Sequence, residues 1–166
     1  MGQVQLQMQD SLEALIAGIE QSHHRFTREQ LERIANILAN TGEVPDRVRQ
    51  CIYALQEDLI PHLMKEERIL FPYIAALEKS NGTPPAACFG DVANPIGAMQ
   101  IEHGDVKALL AEMRQAAANY QAAGGHLAEL YDALKALEAD LIEHIYKEDE
   151  VLFPRVLQAS QRFAAG

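Results

Sequence analysis

The sequence predicts an all-α protein built as an up-down-up-down four-helix bundle. Three observations predict it: helix breakers divide the chain into four segments, each segment bears an apolar stripe at helical spacing, and one stretch of sequence occurs twice. Composition agrees, with no Trp, few β-branched runs and abundant Ala, Leu, Glu and Gln. The 166 residues suffice for a single domain with its own core, expected over about residues 11–160.

Ser11 is placed to cap a first helix that runs to about Asn40, where Thr41-Gly42-Glu43 ends it. Pro45 opens the second helix at a first-turn position; it continues past His62, and Pro72 is expected to kink or end it. Ser80 to Asn94, with Asn81-Gly82, Pro84-Pro85 and Gly90, reads as a loop. Pro95 opens a third helix to about Gln121. Gly124-Gly125 turns the chain into a fourth, which meets Phe153-Pro154 near its end.

The repeat runs from Asp58 to Pro72 and again from Asp140 to Pro154, and each copy holds His-x-x-x-Glu: His62 with Glu66, His144 with Glu148. Four residues are about 400° of helical turn, so the imidazole and carboxylate stand one above the other on one face. That face is the apolar one. Leu55, Leu59, His62, Glu66 and Leu70 share a stripe, as do Leu134, Leu137, Leu141, His144, Glu148 and Leu152. The third helix reads Ile96, Met99, His103, Val106, Leu110, Met113, and in the first His24 leads into Leu31, Ile34 and Leu38. Every helix therefore aims a histidine at the core.

The four histidines are expected at one level. In an antiparallel hairpin, residues equidistant from the turn share a height. The midpoint of His24 and His62 is residue 43, inside the first turn, and that of His103 and His144 falls at Ala123-Gly124. At the other end Pro72 lies ten residues after His62 and Pro95 eight before His103, which roughly agree. One layer of four imidazoles and two carboxylates in a small core is costly without a metal, since each unpartnered buried carboxylate costs several kcal/mol. His24, His62, Glu66, His103, His144 and Glu148 are thus the candidate metal ligands.

The remaining polar residues carry weaker readings. His23 lies about 100° around the helix from His24 and is expected to pack at an edge. Glu102 and Glu143 each precede a ligand histidine and are candidate outer acceptors, or else solvated. His126 follows the Gly-Gly turn and reads as solvated. Tyr53, Tyr73 and Tyr146 are considered as proton donors, though helical Tyr is usually core or rim. Glu67, Asp149 and Glu150 read as solvated charges.

Bulk properties exclude other classes. A net charge of −10 leaves no basic stripe for nucleic acid or an anionic membrane. No apolar run approaches the roughly 20 residues of a membrane span, and the Met1-Gly2-Gln3 start lacks a signal-peptide pattern. Cys51 and Cys88 form no C-x-x-C and read as reduced thiols of a cytoplasmic chain. Four imidazoles with two carboxylates suit iron, manganese or zinc alike. If each of two ions takes two histidines and both glutamates bridge, a six-coordinate ion keeps a bridging oxo or hydroxo group and one exchangeable position. Such a position in an apolar bundle favours diatomic ligands such as O2 or NO over a large organic substrate.

The series His24, His62-x-x-x-Glu66, His103, His144-x-x-x-Glu148, with Leu-Phe-Pro after each pair, resembles the hemerythrin-like di-iron domain, and most closely its repair of iron centres (RIC) branch. The resemblance runs from about Ser11 to Val156 and includes His24-Arg-Phe-Thr-Arg-Glu-Gln-Leu31. It implies two iron ions with an oxo or hydroxo bridge, the four histidines as terminal ligands and Glu66 and Glu148 as bridges. It also implies a role under nitrosative or oxidative stress: handling of NO or peroxide with an electron donor, or iron donation to damaged Fe–S proteins. The alternative is a reversible O2 or NO carrier or sensor without turnover. Oxygen-carrying hemerythrins resemble the chain less, because they add a fifth histidine and a late Asp bridge, where this chain has Lys107 four after His103, and Glu148. Many RIC-type members also carry a Cys-containing N-terminal domain; about ten residues precede the bundle here, and no function relying on such cysteines is expected.

Overall fold

The computed structural model describes residues 10–122 and 124–164; the Met1-Gly2-Gln3 start and Ala123 of the second hairpin turn lie outside the described residues. Among the described residues there is no strand. Four helical runs make the fold: α1 (residues 12–40), α2 (46–79), α3 (93–116) and α4 (125–164). α1 packs along α4 and α2 along α3, and the ends of α1 and α2 also meet, as do the ends of α2 and α4.

Ser11 caps α1 as expected, its Oγ accepting from Ala14 N at 3.0 Å. The two N–H groups beside it donate to one carboxylate across the bundle, Leu12 N to Glu78 Oε1 at 2.7 Å and Glu13 N to Glu78 Oε2 at 2.9 Å. Thr41 ends α1, its backbone N–H returning to Leu38 O.

Pro72 does not end α2. The helix passes into a π segment, Glu66–Leu70, and resumes as Phe71–Lys79 with Pro72 in the first turn of the resumed helix. Phe71 N donates to Glu66 O, five residues back. The widened turn makes room for a ring that would otherwise collide with the carbonyl four residues behind it. α4 repeats the device at Lys147–Leu152, where Phe153 N donates to Glu148 O, and continues through Pro154 to Ala164. α1 has a π segment too, Glu20–His24.

α3 opens at Ala93, two residues before Pro95, and stops at Ala116 rather than near Gln121. Three successive residues then take left-handed conformations, Ala118 (φ 48°), Asn119 (φ 56°) and Tyr120 (φ 61°). That turn is unfavourable for L residues, and side chains fasten it. Tyr120 Oη donates to the buried Glu138, which also takes Arg114 Nη2 at 2.8 Å.

Two apolar cores result. One, at the hairpin-turn end, holds Ile34, Leu55, Leu110 and Leu134; the other, toward the far end, holds Ile16, Leu70, Phe71, Ile96, Leu152 and Phe153. The histidine layer lies between them. Leu134→Ala, at a fully buried site, should cost about 2–5 kcal/mol, whereas Ile101→Ala, at a site 69% exposed, should stay within about 0.5 kcal/mol. Urea unfolding of both variants checks this, and equal losses would contradict the assigned core.

Candidate metal centre

The structure brings all six sequence-predicted residues together. His24, His62, Glu66, His103, His144 and Glu148 are each no more than 4% exposed. They form two groups that share both carboxylates: His24 and His144 with Glu66 and Glu148, and His62 and His103 with the same two glutamates. Within each group the ligand atoms lie within 4.8 Å of one another.

The carboxylates divide between the groups. Glu66 turns Oε2 to His24 Nε2 and Oε1 to His62 Nε2, both at 3.3 Å. Glu148 turns Oε1 to His144 Nε2 at 2.9 Å and Oε2 to His103 Nε2 at 3.1 Å. Within each histidine pair the Nε2 atoms stand 3.2 Å (His24 and His144) and 3.1 Å (His62 and His103) apart. Two imidazole nitrogens about 2.1 Å from one ion, at right angles to each other, stand about 3.0 Å apart. Both oxygens of Glu66 and Oε2 of Glu148 are buried without a hydrogen-bonding partner among the described residues. Such orphaned acceptors are rare in proteins and suit a cation. The donor set therefore fits a pair of ions.

Three of the four histidines also have their outer nitrogen anchored. His24 Nδ1 lies 2.8 Å from Glu67, His62 Nδ1 2.7 Å from Glu102, and His103 Nδ1 2.8 Å from Asp149. A carboxylate there fixes the tautomer that presents Nε2 to an ion. Glu102 thus fulfils one of its two sequence readings. Glu67 and Asp149 overturn theirs: they are not free solvated charges but acceptors one residue beyond each shared glutamate. Arg28 grips Glu67 through both terminal nitrogens, at 2.8 and 2.9 Å, and Lys65 pairs with Glu102. Glu143 does not reach His144 and instead pairs with Lys147 at 2.7 Å.

Other candidates fall outside. His23 is buried but belongs to neither group; it meets Asp140 and Lys147. His126 is exposed, as are Tyr53 and Tyr146, while Tyr73 packs on Phe89. Glu150 is exposed as read. The phenylalanines of the two Leu-Phe-Pro stretches line the site: Phe71 stacks against His24 at 5.6 Å and Phe153 against His103 at 6.1 Å.

Without a metal, the cluster holds protons tightly. Burial alone would depress His24, but contacts to Glu148, Glu66 and Glu67 overcome it and push the imidazole up to about 10. Burial and then the Asp149 and Glu148 contacts leave His103 at about 9. Burial would raise Glu148, yet the surrounding imidazoles hold it well below the carboxylate range.

Raised imidazoles contribute stability that is complete below their ordinary value of 6.5 and is lost as pH rises through about 9 and 10. Depressed Glu148 contributes stability that is complete above 4.5 and is lost at lower pH. Thermal unfolding of chelator-treated protein should therefore show a Tm that falls steadily from pH 6.5 toward 10. Added divalent metal should reverse that slope, because metal competes with those protons. A metal-free Tm flat across this range would refute the picture.

The chain resembles known proteins over most of its length. Residues 15–156 match the hemerythrin HHE cation binding domain family. The chain is 30% identical over 154 residues to the iron-sulfur cluster repair protein DnrN of Neisseria gonorrhoeae, covering 88% of this chain and 92% of that one. It is 33% identical over 159 residues to the iron-sulfur cluster repair protein YtfE of Edwardsiella ictaluri, covering 90% of this chain and 67% of the relative. Against YtfE of Enterobacter sp. identity is 31% over 145 residues, and the match spans 61% of that relative's length. A family match over most of the chain and relatives of this kind lead to one conclusion: the chain belongs to the hemerythrin HHE family, in the branch represented by the iron-sulfur cluster repair proteins.

Proposed function

We propose that this chain binds two iron ions joined by an oxo or hydroxo bridge and acts in the repair of Fe–S clusters under nitrosative or oxidative stress. In this reading His24 and His144 hold one ion, His62 and His103 the other, and Glu66 and Glu148 bridge them, all within one domain. The observation that carries it is the division of each buried carboxylate between the two histidine pairs. One ion would leave half of those oxygens without a partner.

The chain's own residues then do three things. Glu67, Glu102 and Asp149 orient the imidazoles, the flanking apolar cores exclude water, and Phe71 and Phe153 restrict what approaches. Bound iron supplies redox chemistry and an exchangeable position for NO, O2 or peroxide. The names of the relatives support repair over simple carriage of O2. Iron donation to Fe–S proteins, or NO reduction with an electron donor, would serve that role. Among the described residues no helix is long and apolar enough to cross a membrane, and both cysteines are free, which suits a reducing cytoplasm.

Iron content after anaerobic reconstitution tests the site. The unaltered chain should hold about two irons, Glu148→Ala should lose most of both because the carboxylate is shared, and His62→Ala should lose mainly one. Full metal retention by both variants would sink the assignment. Conversion of NO to N2O under reducing conditions would establish turnover, while unchanged reversible binding would favour the carrier.

A further inference from the structure

The two halves of the bundle repeat each other around the ligand layer. His24 corresponds to His103, His62 to His144, Glu66 to Glu148, Glu67 to Asp149 and Lys65 to Lys147. The outer hydrogen bonds follow this correspondence on three imidazoles: His24 with Glu67 matches His103 with Asp149, and His62 has Glu102. The residue that corresponds to Glu102, one before the ligand on the first helix, is His23.

There the repeat breaks. His144 Nδ1 is buried and meets no hydrogen-bonding partner among the described residues. His23 cannot serve it, because its ring lies flat over His144, centroids 5.3 Å apart and planes within 4° of parallel. Both nitrogens of His23 are also committed. Lysine only donates, so Nε2 accepts from Lys147 Nζ at 2.8 Å and Nδ1 donates to Asp140 at 2.9 Å.

We propose that the two ion positions are inequivalent, and that His23 makes the position of His24 and His144 the weaker, more readily surrendered one. This rests on the two-ion reading above. An outer carboxylate orients a ligand imidazole and raises its basicity, and losing one typically lowers metal affinity about 10–100-fold. The position of His62 and His103 has both imidazoles anchored; the other has one of two. In a repair role, the ion of His24 and His144 is the one delivered. His23 acts here as a positioning residue, through His144.

Anaerobic Fe2+ titration of the metal-free chain, followed by calorimetry, tests this. Repulsion between two cations also separates the binding steps, so the diagnostic is how substitutions move each step. His23→Glu, which restores the carboxylate of the other half, should tighten the weaker step about 10–100-fold and leave the tighter one in place. Glu102→Gln should instead loosen the tighter step by a similar factor. Mössbauer spectra at one equivalent of 57Fe should show one doublet in the unaltered chain, with a distinct second doublet on completion. An unchanged weaker step in folded His23→Glu protein overturns the proposal while leaving two-ion binding intact. If that variant fails to fold, Glu102→Gln decides, and loosening of only the weaker step, or of neither, overturns it. Binding of fewer than two ions overturns the two-ion reading first, and the inference with it.

Discussion

Everything in this bundle is arranged around one electrostatic demand: two carboxylates and four imidazoles lie out of reach of water and must neutralise one another or share cations. The demand sets where the helices can lie. Each helix brings one imidazole to a common level, and α2 and α4 each add a carboxylate one turn further on. Apolar side chains close both ends of that level, which removes solvent screening and strengthens each interaction inside. The outer carboxylates then keep the imidazoles from rotating. Arg28 and Lys65, themselves partly solvated, hold two of those carboxylates in turn, so the order imposed at the centre extends to the surface.

The fold was largely legible because its two strongest signals are local. Breakers mark the loops, and a histidine in an apolar stripe is a conspicuous exception on any helix. Equidistance from two turns then placed the four imidazoles at one height without long-range information. Length and pattern did not reveal the end of α3, because its final turn is broken by a tertiary contact: Tyr120 reaching Glu138. No property of Ala118, Asn119 or Tyr120 alone announces three left-handed residues.

The outer carboxylates were harder, since each meets a histidine on a different helix. Glu67 and Asp149 looked like the solvated acids that follow any helical ligand. Their repetition at the same offset in both halves was the available signal. Glu102 and Glu143 looked equivalent as neighbours of a histidine, yet only Glu102 serves one, because the face of α3 on which it stands is turned toward α2 and that of Glu143 is not.

The π segments were also written in the spacing. Along α3 the buried positions step by four and three in strict alternation from Val92 to Met113, and this helix is regular. In α2 the steps from His62 to Glu66, Leu70 and Ile74 are all fours, as are those from His144 to Glu148, Leu152 and Val156 in α4. In α1 the steps from Ile19 to His23, Thr27 and Leu31 are again all fours, with His24 buried beside His23. Each departure marks a surplus residue that a wide turn absorbs beside the ligands. A one-residue deletion at any of these three places would collapse the wide turn into an ordinary helix and leave the apolar face beyond it in phase. The same deletion within regular α3 would swing everything beyond it by about 100°, turning a whole apolar face toward solvent. The stretch between α2 and α3 carries no such phase relation, so insertions and deletions in this fold belong in that connection and not within the helices that look most uniform.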